Sequence, residues 1–138
     1  SISQAIFSGD TKKLAFLLEE FMIKSISSMD GVNEGFYHGM MLGLCAVLGN
    51  RYRVRSNRES GLGRFDIQLM PLVNGIPGFL FEFKHTNDAH VDLASLAEKA
   101  LQQIDEKKYD TDLRDAGVNS IIKVGIAFRG KNAVVKRA

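Results

Sequence analysis

Disulfides have no place in this chain, which has a single cysteine, Cys45, among 138 residues. A disulfide framework within the chain and a cysteine-rich zinc site are both excluded. Cys45 stands among Leu44, Ala46 and Val47, a setting for an inert buried thiol and one that suits a reducing cytoplasm. Charge of one sign is also lacking. Lysine and arginine total 18 against 16 acidic residues, a net charge of +2. No global basic field marks the chain for nucleic acid, so any such binding must come from a local patch. Long apolar runs are absent too. The longest, Met40 to Leu48, is too short to cross a bilayer, and no membrane partner is expected. No secretory pattern, internal repeat or low-complexity segment is seen. The sequence opens at Ser1 rather than methionine, which reads as a fragment of a longer protein.

What is present suits one soluble core. Apolar residues make up 45 % and charged residues 25 %, proportions that fit a single globular domain over residues 1–138. Leu14, Leu17, Leu18, Phe21 and Met22 recur at helical spacing and predict a helix from about Asp10, its cap, to Ile26. A second helix is predicted from Val32 to Leu48. Gly35, Gly39 and Gly43 form a smooth strip on it where another backbone could approach. Then the period falls to two. Strands are predicted around Arg51 to Ser56, over Arg64 to Met70 and over Gly78 to Lys84, the last two joined through Asn74-Gly75, a strong hairpin signal. Asp92 to Lys108 carries a clear apolar helical stripe. Asp110 to Gly117 reads as a polar connection with room for one helical turn. Ser120 to Phe128 is a buried strand, and Ala133 to Val135 a short final one. The expected fold is therefore α/β, a mixed sheet built as helix, three-strand meander, helix, strand. The last long strand follows a helical crossover and can pair in parallel.

Alternation places Arg64, Asp66 and Gln68 on one face of their strand, and Glu82 with Lys84 on one face of the next. The hairpin brings Asp66, Glu82 and Lys84 together, backed by Phe79, Phe81 and Phe83. Two adjacent carboxylates repel and readily take a divalent cation; oxygen ligands suit Mg2+ or Mn2+. Such an ion polarises a phosphodiester and acidifies a bound water, and a neighbouring lysine offsets charge developing on phosphate. A solvated strand face would carry the same three charges. Here, though, Glu82 and Lys84 end a Phe-rich strand, where charge is costly unless used or paired.

In this order the residues resemble the PD-(D/E)xK phosphodiesterase superfamily and its restriction-endonuclease-like core. Phe36-Tyr37-His38-Gly39, Leu42-Gly43-Leu44, Asn57-Arg58-Glu59-Ser60-Gly61, Gly63-Arg64-Phe65-Asp66-Ile67 and Glu82-Phe83-Lys84 are similar to the nuclease-like C-terminal domain of bacterial predicted AAA-ATPase proteins. The resemblance runs from about Glu34 to Gly130. It implies a core over about residues 32–130, an N-terminal helical extension over 1–30 and an ATPase-like domain upstream in the full-length chain. It also implies Asp66 and Glu82 as metal ligands, with the backbone carbonyl of Phe83 and a first-helix carboxylate at Glu34 as further candidates, and Lys84 as catalytic lysine. His38, one turn after Glu34, is a candidate contact to metal water or phosphate. The superfamily's proline before the aspartate is replaced by Phe65. Where some relatives carry Gln-x-x-x-Tyr, this chain has Gln103 and Lys107, with the nearest tyrosine at Tyr109; both remain candidates for the substrate strand.

His85 and His90 do not make a persuasive zinc site with His38, lacking cysteine partners. Arg51, Arg53, Arg55, Arg58 and Arg64 form a local basic run. It reads equally as a phosphate-tracking surface or as an edge strand guarded by charge. Gly61 and Gly63 lack the lysine and following helix of a P-loop. The expected function is a metal-dependent nuclease acting on DNA through a metal-activated water. The alternative is an inactive nuclease-fold module that binds nucleic acid or a protein partner.

Overall fold

Alternating residues and one tight turn build the centre of the molecule. In the computed structural model, which describes residues 1–25, 33–59, 63–107 and 110–138, β2 (Arg64–Pro71) and β3 (Gly78–His85) form an antiparallel hairpin. Its connection includes Gly75 at φ 87°, a left-handed conformation that glycine adopts without steric cost. β1 (Tyr52–Glu59) pairs antiparallel with β2. β4 (Ile121–Arg129) runs parallel to β3, and β5 (Asn132–Arg137) antiparallel to β4. The sheet order is β1-β2-β3-β4-β5, so the Phe-rich strand is central. The meander, the helical crossover and the parallel pairing match the sequence expectation, and the mixed α/β sheet is a restriction-endonuclease-like core.

One face of the sheet is aromatic. Phe65, Ile67 and Leu69 of β2, Phe79, Phe81 and Phe83 of β3 and Val124, Ile126 and Phe128 of β4 are all buried in the main core. Phe65 stacks on Phe83 at 4.4 Å between ring centroids, and Tyr37 on Phe128 at 4.4 Å. Such pairs contribute about 0.5–1.5 kcal/mol beyond their burial. Three helices close this core: α1 (Ile2–Ser8), α2 (Thr11–Ser25) and α3 (Glu34–Ala46). Asp10 caps α2 as expected, its Oδ1 accepting from the Lys13 amide at 3.0 Å. α1 escaped the periodicity because it holds only seven residues. Val32 and Ile26, the predicted ends of two helices, lie outside the described residues.

The other face carries α4 (Leu93–Lys107) across the crossover, followed by the short α5 (Asp110–Asp115). Leu93 and Ala97 pack on Ala127, while Leu101, Ile104 and Leu113 pack on Leu80. At Gly125 the helix comes down on the sheet itself. A Cβ there would stand 2.4 Å from the Ala97 carbonyl oxygen and 2.6 Å from the Leu101 amide. The glycine strip of α3 does the opposite of what its spacing suggests. Gly39 and Gly43 have nothing within 4 Å of an added Cβ, and Gly35 meets only side chains of Asn33 and Arg58. No described backbone approaches the strip, because α3 turns its larger residues, Tyr37, Met40 and Met41, inward. No described helix is long and apolar enough to cross a membrane.

Candidate metal and phosphodiester site

Register decides which charges meet. Residues directly opposite on neighbouring strands share a face. Asp66 is opposite Glu82, and Arg64 is opposite Lys84. The result is a quartet of two acids and two cations at one end of the hairpin, on the face that α4 covers. Both acids are out of water: Asp66 is 3 % exposed and Glu82 0 %. Lys84 and Arg64 are half-buried, and all four are engaged with neighbours. Carboxylates directly opposite destabilise a sheet unless something answers their charge. Arg64 and Lys84, one diagonal step away, supply part of that answer.

Asn57 of β1 pairs in register with Asp66, and its Nδ2 donates to Asp66 Oδ1 at 3.1 Å. This contact holds one carboxylate oxygen and orients the other. Glu82 is aligned on its far side with Gly125 of β4. The missing side chain there lets α4 seat against the sheet beside Glu82, which is why that carboxylate is fully buried. Its Oε2 accepts no hydrogen bond from a described residue, although the residue is otherwise engaged. Buried carboxylates from two adjacent strands, Asp66 and Glu82, are oxygen donors of the kind that suits a hard divalent cation.

The structure does not bring Glu34 or His38 to this set. Arg58 stands opposite Phe65, on the aromatic face, and its Nε donates to Glu34 Oε2 at 2.7 Å. His85 Nε2 lies 3.8 Å from Glu34 Oε1, and its ring packs on Tyr37. His38 Nε2 meets Ser56 Oγ at 3.2 Å, with its ring edge-on to Phe65. Glu34, His38, Ser56, Arg58 and His85 thus make a second polar cluster across the sheet from Asp66. Burial pushes the imidazoles of His38 and His85 below their ordinary value; Arg58 adds to the effect at His38, while Glu34 opposes it at both. Among the described residues no group of three His, Cys, Asp or Glu side chains could hold a metal. His90 is exposed, its amide donating to Asp88 Oδ1.

The remaining candidates are dispersed. Gln103 is half-buried on α4, with Oε1 lacking a hydrogen-bond partner among the described residues. Lys107 closes α4, but its side chain, like Tyr109, lies outside what is described. Cys45 is buried and its thiol is pushed up to about 12 by that burial, as expected of an inert thiol. Sequence reasoning missed Asn57 and Gly125. Alternation along β1 puts Asn57 on the face of Arg53 and Arg55, and a lone glycine inside an apolar strand signals close backbone approach. Those were the available signals.

A parallel–antiparallel sheet with an acid pair on its central hairpin and an Glu-x-Lys element at the strand end defines a nuclease-like α/β domain. The chain belongs to the PD-(D/E)XK nuclease superfamily, which it matches over residues 32–138. No curated protein matches the chain.

Proposed function

We propose that the chain is a metal-dependent phosphodiesterase that cuts nucleic acid, with DNA as its substrate and Mg2+ or Mn2+ as its ion. The observation that carries this reading is the register pairing of Asp66 with Glu82 beside Lys84, in a chain of a nuclease superfamily. Asp66, Glu82 and the Phe83 carbonyl would hold the cation. Glu34 is left out of the set because Arg58 occupies its carboxylate. When bound, the cation supplies Lewis-acid stabilisation of phosphate charge and acidifies water. Asn57 fixes the orientation of Asp66. Lys84 sits two residues from Glu82 on the same face, positioned to orient the attacking water and to offset charge developing on the phosphate. Arg64, opposite Lys84, is placed to bind the same phosphate. An ATPase-like domain upstream in the full-length protein belongs to this proposal on the sequence resemblance alone.

One observation favours the second reading, a module that binds without cutting. Both acids are buried and already face two cations, an arrangement that can be neutral without a metal. Cleavage of labelled DNA with and without Mn2+ separates the two. The nuclease reading predicts divalent-dependent cleavage that falls by about 100-fold or more in Lys84→Ala and in Asp66→Ala, with circular dichroism unchanged. Cleavage that persists in both folded variants overturns the mechanism; no cleavage by the parent chain selects the binding module.

A further inference from the structure

The pleat of β1 divides the arginine run. Arg53 is opposite Met70 and Arg55 opposite Gln68, in the same alternation that sets Asn57 opposite Asp66. Arg53 and Arg55 therefore stand on the carboxylate face, both exposed. Arg58 falls on the other face and is held by Glu34. A run of arginines that looks uniform in sequence is thus split between two faces of the sheet.

α4 packs on β3, β4 and β5, and β1 lies at the far edge of the sheet. The β1–β2 half of this face carries a concavity of about 320 Å³, lined by Arg53, Val54, Arg55, Gln68 and Met70. Residues two apart on a strand are about 6.8 Å apart, close to the spacing of successive phosphates in an extended nucleotide chain. One further step of the same length along β1 reaches Asn57, the residue that touches Asp66. We propose that this shelf is where a nucleic acid strand lies: its phosphates sit on Arg53 and Arg55, and its path runs along β1 toward Asp66 and Glu82. The inference rests on the nuclease reading for its direction, and names the substrate's binding path for that site. Charge that merely guards an edge strand has no need of a concavity or of a shared face with the acid pair.

The test is equilibrium binding of a fluorescent single-stranded oligonucleotide in EDTA, followed by polarisation across a salt series. It compares the parent chain, Arg53→Ala/Arg55→Ala, and a control pair on α2, Lys12→Ala/Lys13→Ala. Each phosphate contact on a single strand adds about 0.7 to the slope of log affinity against log salt. The arginine variant should therefore lose about 1.4 from that slope and bind about tenfold or more weakly at low salt, while the lysine control matches the parent. An arginine variant with parental slope and affinity overturns the shelf, as does an equal loss in both variants or no binding by the parent. Because EDTA removes metal chemistry, the shelf can fail while Lys84-dependent cleavage stands. Equally, the slope can fall in a chain that never cuts.

Discussion

His38 shows how much one side chain's neighbours decide. Its ring is fixed between Ser56 and Phe65, and burial, then Arg58, keeps its imidazole below the ordinary 6.5. The folded state therefore holds this proton less tightly than the unfolded chain does. Between pH 6.5 and the lower folded value the unfolded state binds more protons, so stability rises with pH across that window. The contribution is complete above 6.5 and is lost as pH falls through the folded value. Urea midpoints measured above and below pH 6.5 should drop on acidification. His38→Asn should flatten that drop without abolishing it, since His85 shifts in the same direction. A variant with the parental pH dependence would show that His38 is not the group responsible. At this scale, the convergence of Asp66, Glu82 and Lys84 was legible because a period of two and one hairpin suffice to place them. The separation of Glu34 and His38 from that set was not. It depends on which face of the sheet α3 covers, and helical spacing carries no such information. Asn57 was hidden for a related reason: its pairing with Asp66 depends on the register of β1, which spans a connection whose length alone does not fix it.

Glycines sort the elements in the same way. Gly125 lies where α4 touches the sheet, and Gly39 and Gly43 lie on the open side of α3. Gly125→Ala forces backbone atoms of Ala97 and Leu101 away from β4 and should cost about 1–3 kcal/mol. Gly39→Ala and Gly43→Ala add a methyl into open space on a helix and should each stabilise by about 0.4–1 kcal/mol. Chemical denaturation of the three variants checks both signs. A neutral Gly125→Ala would mean that the helix does not press on the strand there. The sequence pattern showed all these glycines, and read the strip on α3 as the contact surface because three small residues at helical spacing look like one. The actual contact is made by one glycine in a strand, whose partner helix could not be known before the crossover was built. The elements themselves, by contrast, were largely readable: apolar stripes, the cap at Asp10 and the Asn74-Gly75 turn act locally. The short helices were the ones missed or under-read: α1 is seven residues long, and the six residues of α5 read as a polar connection.

For the whole molecule, the superfamily match begins at residue 32, yet the core does not. Leu14, Leu18 and Met22 of α2 are buried in the same cluster as Phe81 and Phe128, and Glu19 accepts the backbone amide of Ala133 on the edge strand β5 at 3.0 Å. The N-terminal helices therefore cover the aromatic face, leaving the opposite face to α4 and the charged quartet. That division gives the molecule one greasy side that must stay closed and one side where Arg53 and Arg55 of β1 are exposed on the face that carries the buried acids. Net charge of +2 gave no hint of it, since the charges are sorted by the pleat and not by the composition. The central claim is that Asp66 and Glu82 jointly hold one divalent cation. Calorimetric titration of the chain with Mn2+ tests it most directly. One bound ion is expected for the parent, and its loss in both Asp66→Asn and Glu82→Gln. Undiminished Mn2+ binding in both variants, or none in the folded parent, would contradict the account.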